Sequence, residues 1–153
     1  MKRILFVSIM SVVSVATACF MAVLAQNAPS SEIRLTPPEI KWPSSGPVTL
    51  KGDPTKPGLY TIRFRIPPNT RAMPHAHQDD RSATILSGTW YFGYGKTFNE
   101  AALKALPPGS FYTEPPGTYH FSMTKEDEVV IEVSGYGPSS TTQADPQREP
   151  GRQ

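Results

Sequence analysis

At 153 residues with 38% hydrophobic content, the chain has room for one domain with one modest core. Its 11 glycines and 17 prolines favour short strands and turns over long helices. The formal charge of +2 disappears if the chain before Gln26 is removed, because Lys2 and Arg3 lie there and all 13 acidic residues lie beyond it; a balanced remainder has no electrostatic footprint for nucleic acid or an anionic membrane.

Met1-Lys2-Arg3 and the apolar run from Ile4 to Leu24 read as a signal peptide over residues 1–25, with Val23-Leu24-Ala25 as the small-residue cleavage site. The expected location is therefore periplasmic or secreted. The run is also long enough to span a bilayer as an uncleaved anchor, the second reading. Cys19 is the only cysteine, and Ala16-Thr17-Ala18 before it make a poor lipobox. The exported chain is expected to have no disulfide and to depend on packing and a bound metal.

Residues 26–45 form an N-terminal arm. A polar lead-in over 26–31 precedes Ile33-Arg34-Leu35 and Ile40-Lys41-Trp42, alternating pieces that Pro37-Pro38 confines to edge strands or extended arms. The domain proper is expected over 46–137. It opens with a short strand at Pro47 to Leu50 and a turn-rich loop at 52–58. Tyr60 to Ile66 alternates apolar and polar residues, which puts Tyr60, Ile62, Phe64 and Ile66 towards the core and Arg63 and Arg65 towards water. Ala83 to Tyr94 is rich in β-formers, with Ser87-Gly88 as a turn or bulge and Trp90, Phe92 and Tyr94 on one face. Thr97 to Leu106 reads as the one short helix of the domain, with Thr97 and Glu100 as a capping box and Pro107-Pro108-Gly109 as the stop. Glu128 to Val133 is the last strand, and 138–153 is a polar tail expected to be disordered.

The three histidines of the chain, His75, His77 and His120, all fall in two short stretches. Side chains two apart on a strand share a face, so His75 and His77 can offer imidazole nitrogens to one cation. Pro115-Pro116-Gly117 is suited to turn the chain and deliver His120 from a second strand.

These stretches resemble the two motifs of the cupins. His75, His77 and Gly88 match the first, and Gly109, Pro115, Gly117 and His120 match the second. Asn69 stands in place of the leading glycine, Thr124 in place of the closing asparagine, and Arg81 where the family has its glutamate. The resemblance covers about residues 46–137 and implies an all-β fold, a cupin-like jelly-roll (double-stranded β-helix) barrel with one short inserted helix. Cupins often pair through strands, so a homodimer through the N-terminal strands is implied beside an arm packed on its own barrel.

Arginine has no lone pair for a metal, so the family's carboxylate ligand is missing at position 81. Three readings stand: a three-histidine site completed by water or substrate, a site in which Asp79 or Asp80 substitutes, or a polar pocket without metal. Arg81 itself is expected in a local charge cluster with Asp79 and Asp80, with bidentate capture of an anionic ligand as the sharper alternative. The expected cofactor is one divalent ion of borderline softness, Zn, Fe, Mn or Ni.

No nucleophile elbow, phosphate loop, dinucleotide fingerprint or internal repeat competes with this cluster. Two function classes follow. One is a metal-binding cupin that holds a small ligand. The other is a metal-dependent enzyme, a three-histidine oxygenase or an isomerase, acting on a small polar organic substrate with Tyr112, Glu114 or Tyr119 as acid or base.

Overall fold

A computed structural model of the chain describes residues 32–144. The expected signal peptide with Cys19, the lead-in and the end of the tail from residue 145 lie outside that span. Residues 32–36 belong to a separate unit from the one that begins at Pro37 and carries every described strand. Among the described residues no helix is long and apolar enough to cross a membrane.

Among the described residues, ten strands form two antiparallel five-stranded sheets. They are β1 (Val48–Lys51), β2 (Gly58–Ile66), β3 (Arg71–His77), β4 (Arg81–Ser87), β5 (Trp90–Tyr94), β6 (Lys104–Leu106), β7 (Phe111–Glu114), β8 (His120–Met123), β9 (Val129–Gly137) and β10 (Thr141–Gln143). One sheet runs β1-β2-β9-β4-β7 and the other β10-β3-β8-β5-β6. The pairs β5–β6, β4–β7, β3–β8 and β2–β9 are the successive rungs of one long hairpin. Because its rungs alternate between the two sheets, the hairpin wraps into a jelly roll, and residues distant in sequence meet across it.

The alternation in β2 is obeyed. Tyr60 and Ile62 are buried and Phe64 and Ile66 pack against the core, while Arg63 pairs across the sheet with Glu132 and Arg65 with Glu128. Trp90 and Phe92 join Ile85, Tyr112, Ile131 and Val133 between the sheets. Tyr94 departs from the expected inward face: at the end of β5 it is exposed, and its hydroxyl donates to the Thr113 carbonyl at 2.6 Å. Gly88 ends β4 at a φ of 69°, and a Cβ there would lie 2.4 Å from the Glu128 carbonyl oxygen, so the turn requires glycine.

Three expectations are corrected. The helix over Thr97 to Leu106 is only a three-residue 3-10 turn, Glu100–Ala102, capped by Asn99 rather than Thr97. The remainder becomes β6, which pairs with β5; satisfying the backbone groups at that sheet edge outweighs the modest helix preference of alanine and leucine. The tail is not disordered throughout, because Thr141–Gln143 pair with β3. Finally, the edge-strand reading of Ile33-Arg34-Leu35 and Ile40-Lys41-Trp42, one of the two offered beside an extended arm, is not met: both pieces lie in no strand, with a 3-10 turn, Pro37–Glu39, between them.

Candidate metal centre

β3 puts His75 and His77 on one face, and its pairing with β8 sets His75 directly opposite His120. The three rings lie 4.4 to 5.3 Å apart by their centres, and one ligand atom from each falls within 4.8 Å of the other two. Every Nδ1 faces a backbone carbonyl: His75 that of Met73 at 2.7 Å, His77 that of Ser140 at 3.1 Å, and His120 that of Thr118 at 3.1 Å. A carbonyl only accepts, so Nδ1 carries the proton and the Nε2 lone pair is left free. The Nε2 atoms of His77 and His120 are buried and meet no hydrogen-bond partner. Buried acceptors without a donor are costly, and a metal ion is what would satisfy several at once. The residues fit one.

Burial holds His77 down to about 4, with the Arg81 charge adding to the effect and Glu114 opposing it. Burial likewise holds His120 below the usual value, again against Glu114. Both rings are therefore neutral at neutral pH. The approach of Glu114, with Oε2 3.7 Å from His77 Nε2 and Oε1 3.5 Å from His120 Nε2, is not an ion pair there.

The acidic residues beside the histidines in sequence do not join them. Asp80 is exposed, and Asp79 is buried with its Oδ2 accepting from the Tyr60 hydroxyl at 2.6 Å. Gly135 makes room for that pair, since a Cβ there would lie 2.6 Å from the Tyr60 oxygen and 2.9 Å from Asp79 Oδ2. Nor is Arg81 in a charge cluster with these two. It is buried at the start of β4, its Nε donates to Glu114 Oε2 at 2.7 Å, and its Nη2 contacts the same oxygen. The correction follows from register: β4 pairs with β7 so that Arg81 sits directly opposite Glu114. Removing either partner would leave a buried charge uncompensated, at a cost of about 3–5 kcal/mol.

No family model and no curated protein sequence matches the chain. Solved structures do. An uncharacterised protein with a double-stranded β-helix domain from Klebsiella pneumoniae superposes with a TM-score of 0.57 at 17% identity, over 75% of this chain and 99% of that one. KdgF from a Halomonas species gives 0.54 at 17% identity, over 70% and 96%. A chain from crystal structures of DMSP lyases gives 0.50 at 18% identity; the match takes in 57% of this chain and 44% of the lyase's length.

The chain has the cupin fold.

Within this cupin barrel the three histidines occupy one sheet and Arg81 and Glu114 the facing one. A cavity of about 240 Å³ extends between them, its walls largely apolar through Phe64, Ile66, Trp90, Phe92, Ile131 and Val133. Tyr112 also lines it, and burial raises its hydroxyl far above the ordinary value, so it stays protonated and can donate a hydrogen bond but is a poor general acid. Tyr119 packs instead beneath the Lys96 ammonium, 5.1 Å from the ring centre. Besides Arg81, the other two departures from the cupin motifs are accommodated locally. Asn69 adopts a φ of 57°, a left-handed conformation that asparagine tolerates better than most residues. Thr124 is buried, donating to the Pro67 carbonyl at 2.6 Å and accepting from the Thr70 amide at 2.9 Å, which ties the two turns flanking the β3–β8 rung.

Sequence reasoning considered Glu114 only as an acid or base and missed its pairing with Arg81. A usable signal exists. Once His75 is set opposite His120, Arg81 lies six residues after the first and Glu114 six before the second, so one continuous hairpin makes them partners.

Proposed function

We propose that this chain is an exported, single-domain cupin that binds one divalent ion, Zn, Fe, Mn or Ni, through His75, His77 and His120. The observation that carries the reading is the convergence of three imidazoles whose Nδ1 atoms all face backbone carbonyls, so that their Nε2 lone pairs are free for an ion. Export rests on the basic and then apolar leader ending near Ala25. Pairing of two copies through the N-terminal arm belongs to the same proposal, supported by the exposed apolar side chains of Ile33 and Leu35.

The enzyme reading is favoured by one specific observation, the cavity beside the cluster. Bound there, the ion would act as a Lewis acid on an oxygen of the substrate. The chain's own contribution is to surround a small organic molecule with apolar walls that exclude water, while the Tyr112 hydroxyl remains protonated and able to donate. A substrate with one polar end and a small apolar body fits this better than a uniformly polar one.

Metal analysis of the purified protein beside the His75→Ala, His77→Ala double variant tests the proposal. One ion per chain in the native protein and none in the variant is the expected result. Equal metal in both would end the reading.

A further inference from the structure

We propose that Glu114 is a fourth protein ligand of the ion, supplying from β7 the carboxylate that position 81 on β4 lacks. The inference rests on the three-histidine reading above and adds a ligand to it.

It begins with a clash of like groups. Because His77 and His120 face carbonyls through Nδ1, each presents a lone pair at Nε2, and both of those atoms are buried without a hydrogen-bond partner. The group set against them is a carboxylate, with Oε2 3.7 Å from His77 and Oε1 3.5 Å from His120. Acceptors facing acceptors, out of contact with water, repel one another. A cation among them reverses the sign of every one of these interactions, and imidazole with carboxylate is an ordinary ligand set for a divalent ion of borderline softness.

The carboxylate is also built into place. Burial alternates along β7, so Tyr112 and Glu114 both point inward, and Glu114 is only 5% exposed. Both contacts from Arg81 fall on Oε2, so the side of the carboxylate that carries Oε1 is turned to His120. Ligating carboxylates are commonly held by a second hydrogen bond of this kind. Arg81 therefore occupies the place of a ligand in the first cupin motif while holding the ligand that replaces it. The exchange is between directly opposed residues of neighbouring strands, so it leaves the carboxylate on the same sheet.

The test is binding of Zn²⁺ to the metal-stripped chain, measured by competition with a chelator, for the native protein, Glu114→Gln, Arg81→Met and Arg81→Met with Glu114→Gln. The double variant keeps the measurement meaningful if either single variant fails to fold, because with both residues replaced no unpaired charge is buried. Loss of the carboxylate should weaken Zn²⁺ binding about tenfold or more, both from native to Glu114→Gln and from native to the double variant. In the native protein, the infrared difference spectrum on adding Zn²⁺ should contain a shifted carboxylate stretch that the variants without Glu114 lack. Equal affinities with and without the carboxylate, or no carboxylate band in the native difference spectrum, would overturn the inference. If His75→Ala, His77→Ala abolishes binding in the same assay, the three-histidine reading survives that failure; if it does not, both fall.

Discussion

The tautomer of each imidazole in the cluster is set by the nitrogen that does not face the site. With a carbonyl at every Nδ1, the rings are prepared to bind an ion, and binding a proton at Nε2 is the competing outcome that burial resists. This has a pH consequence in the metal-stripped protein. His77 falls from 6.5 in the unfolded chain to about 4 in the folded one, so on acidification the unfolded chain takes up the proton first. The stability associated with a neutral His77 is fully present above about pH 6.5, is lost as pH falls towards 4, and changes no further below that. His120 shifts in the same direction. The expected loss for His77 alone is about 3 kcal/mol, seen as a falling Tm across that window. A Tm independent of pH between those limits would mean that the rings are not buried as neutral groups.

At the scale of elements, three misreadings of the sequence share one physical origin: a local pattern is overridden by a partner strand. The alternation of β2 and the His-x-His of β3 were legible because parity alone assigns a face. Lys104 to Leu106 looked helical, but the edge of β5 needed a strand. Arg81 stood between sequence neighbours of opposite charge, yet its partner is the residue opposite it on β7. The polar composition near residue 140 suggested disorder, but β10 covers the edge of β3, with Thr141 opposite His77 and Gln143 opposite His75. This last strand bears on the site, because Ser140 provides the carbonyl that faces His77 Nδ1. Ending the chain after Ser139 removes that carbonyl and the cover on β3 while leaving the nine-residue pairing of β2 with β9 intact. Divalent-ion affinity should fall about 10- to 100-fold with the far-ultraviolet circular dichroism largely kept. Unchanged affinity would show that β10 plays no part in orienting His77.

For the whole molecule, the long hairpin explains why two short motifs sufficed to indicate the fold and left the chemistry open. Wrapping its rungs alternately into two sheets brings β3 and β8 together on one side of the interior and β4 and β7 on the other, so the histidines and the Arg81–Glu114 pair face a common space. The motifs report the first of these meetings directly. The second depends on register carried from the His75–His120 pair across one loop on each arm of the hairpin, which neither motif encodes by itself. The same wrapping leaves the cavity between apolar walls beside the cluster, where the charge of a bound ion would be screened less than in bulk water and would act the more strongly on whatever molecule shares the space. The central claim is that the barrel brings three imidazoles to one ion, and an anomalous difference map from crystals of the protein grown with Zn²⁺ addresses it most directly. The account predicts one strong peak per chain, bonded to Nε2 of His75, His77 and His120. A map with no peak at that position, or with the ion held elsewhere while these three rings remain unliganded, would contradict it.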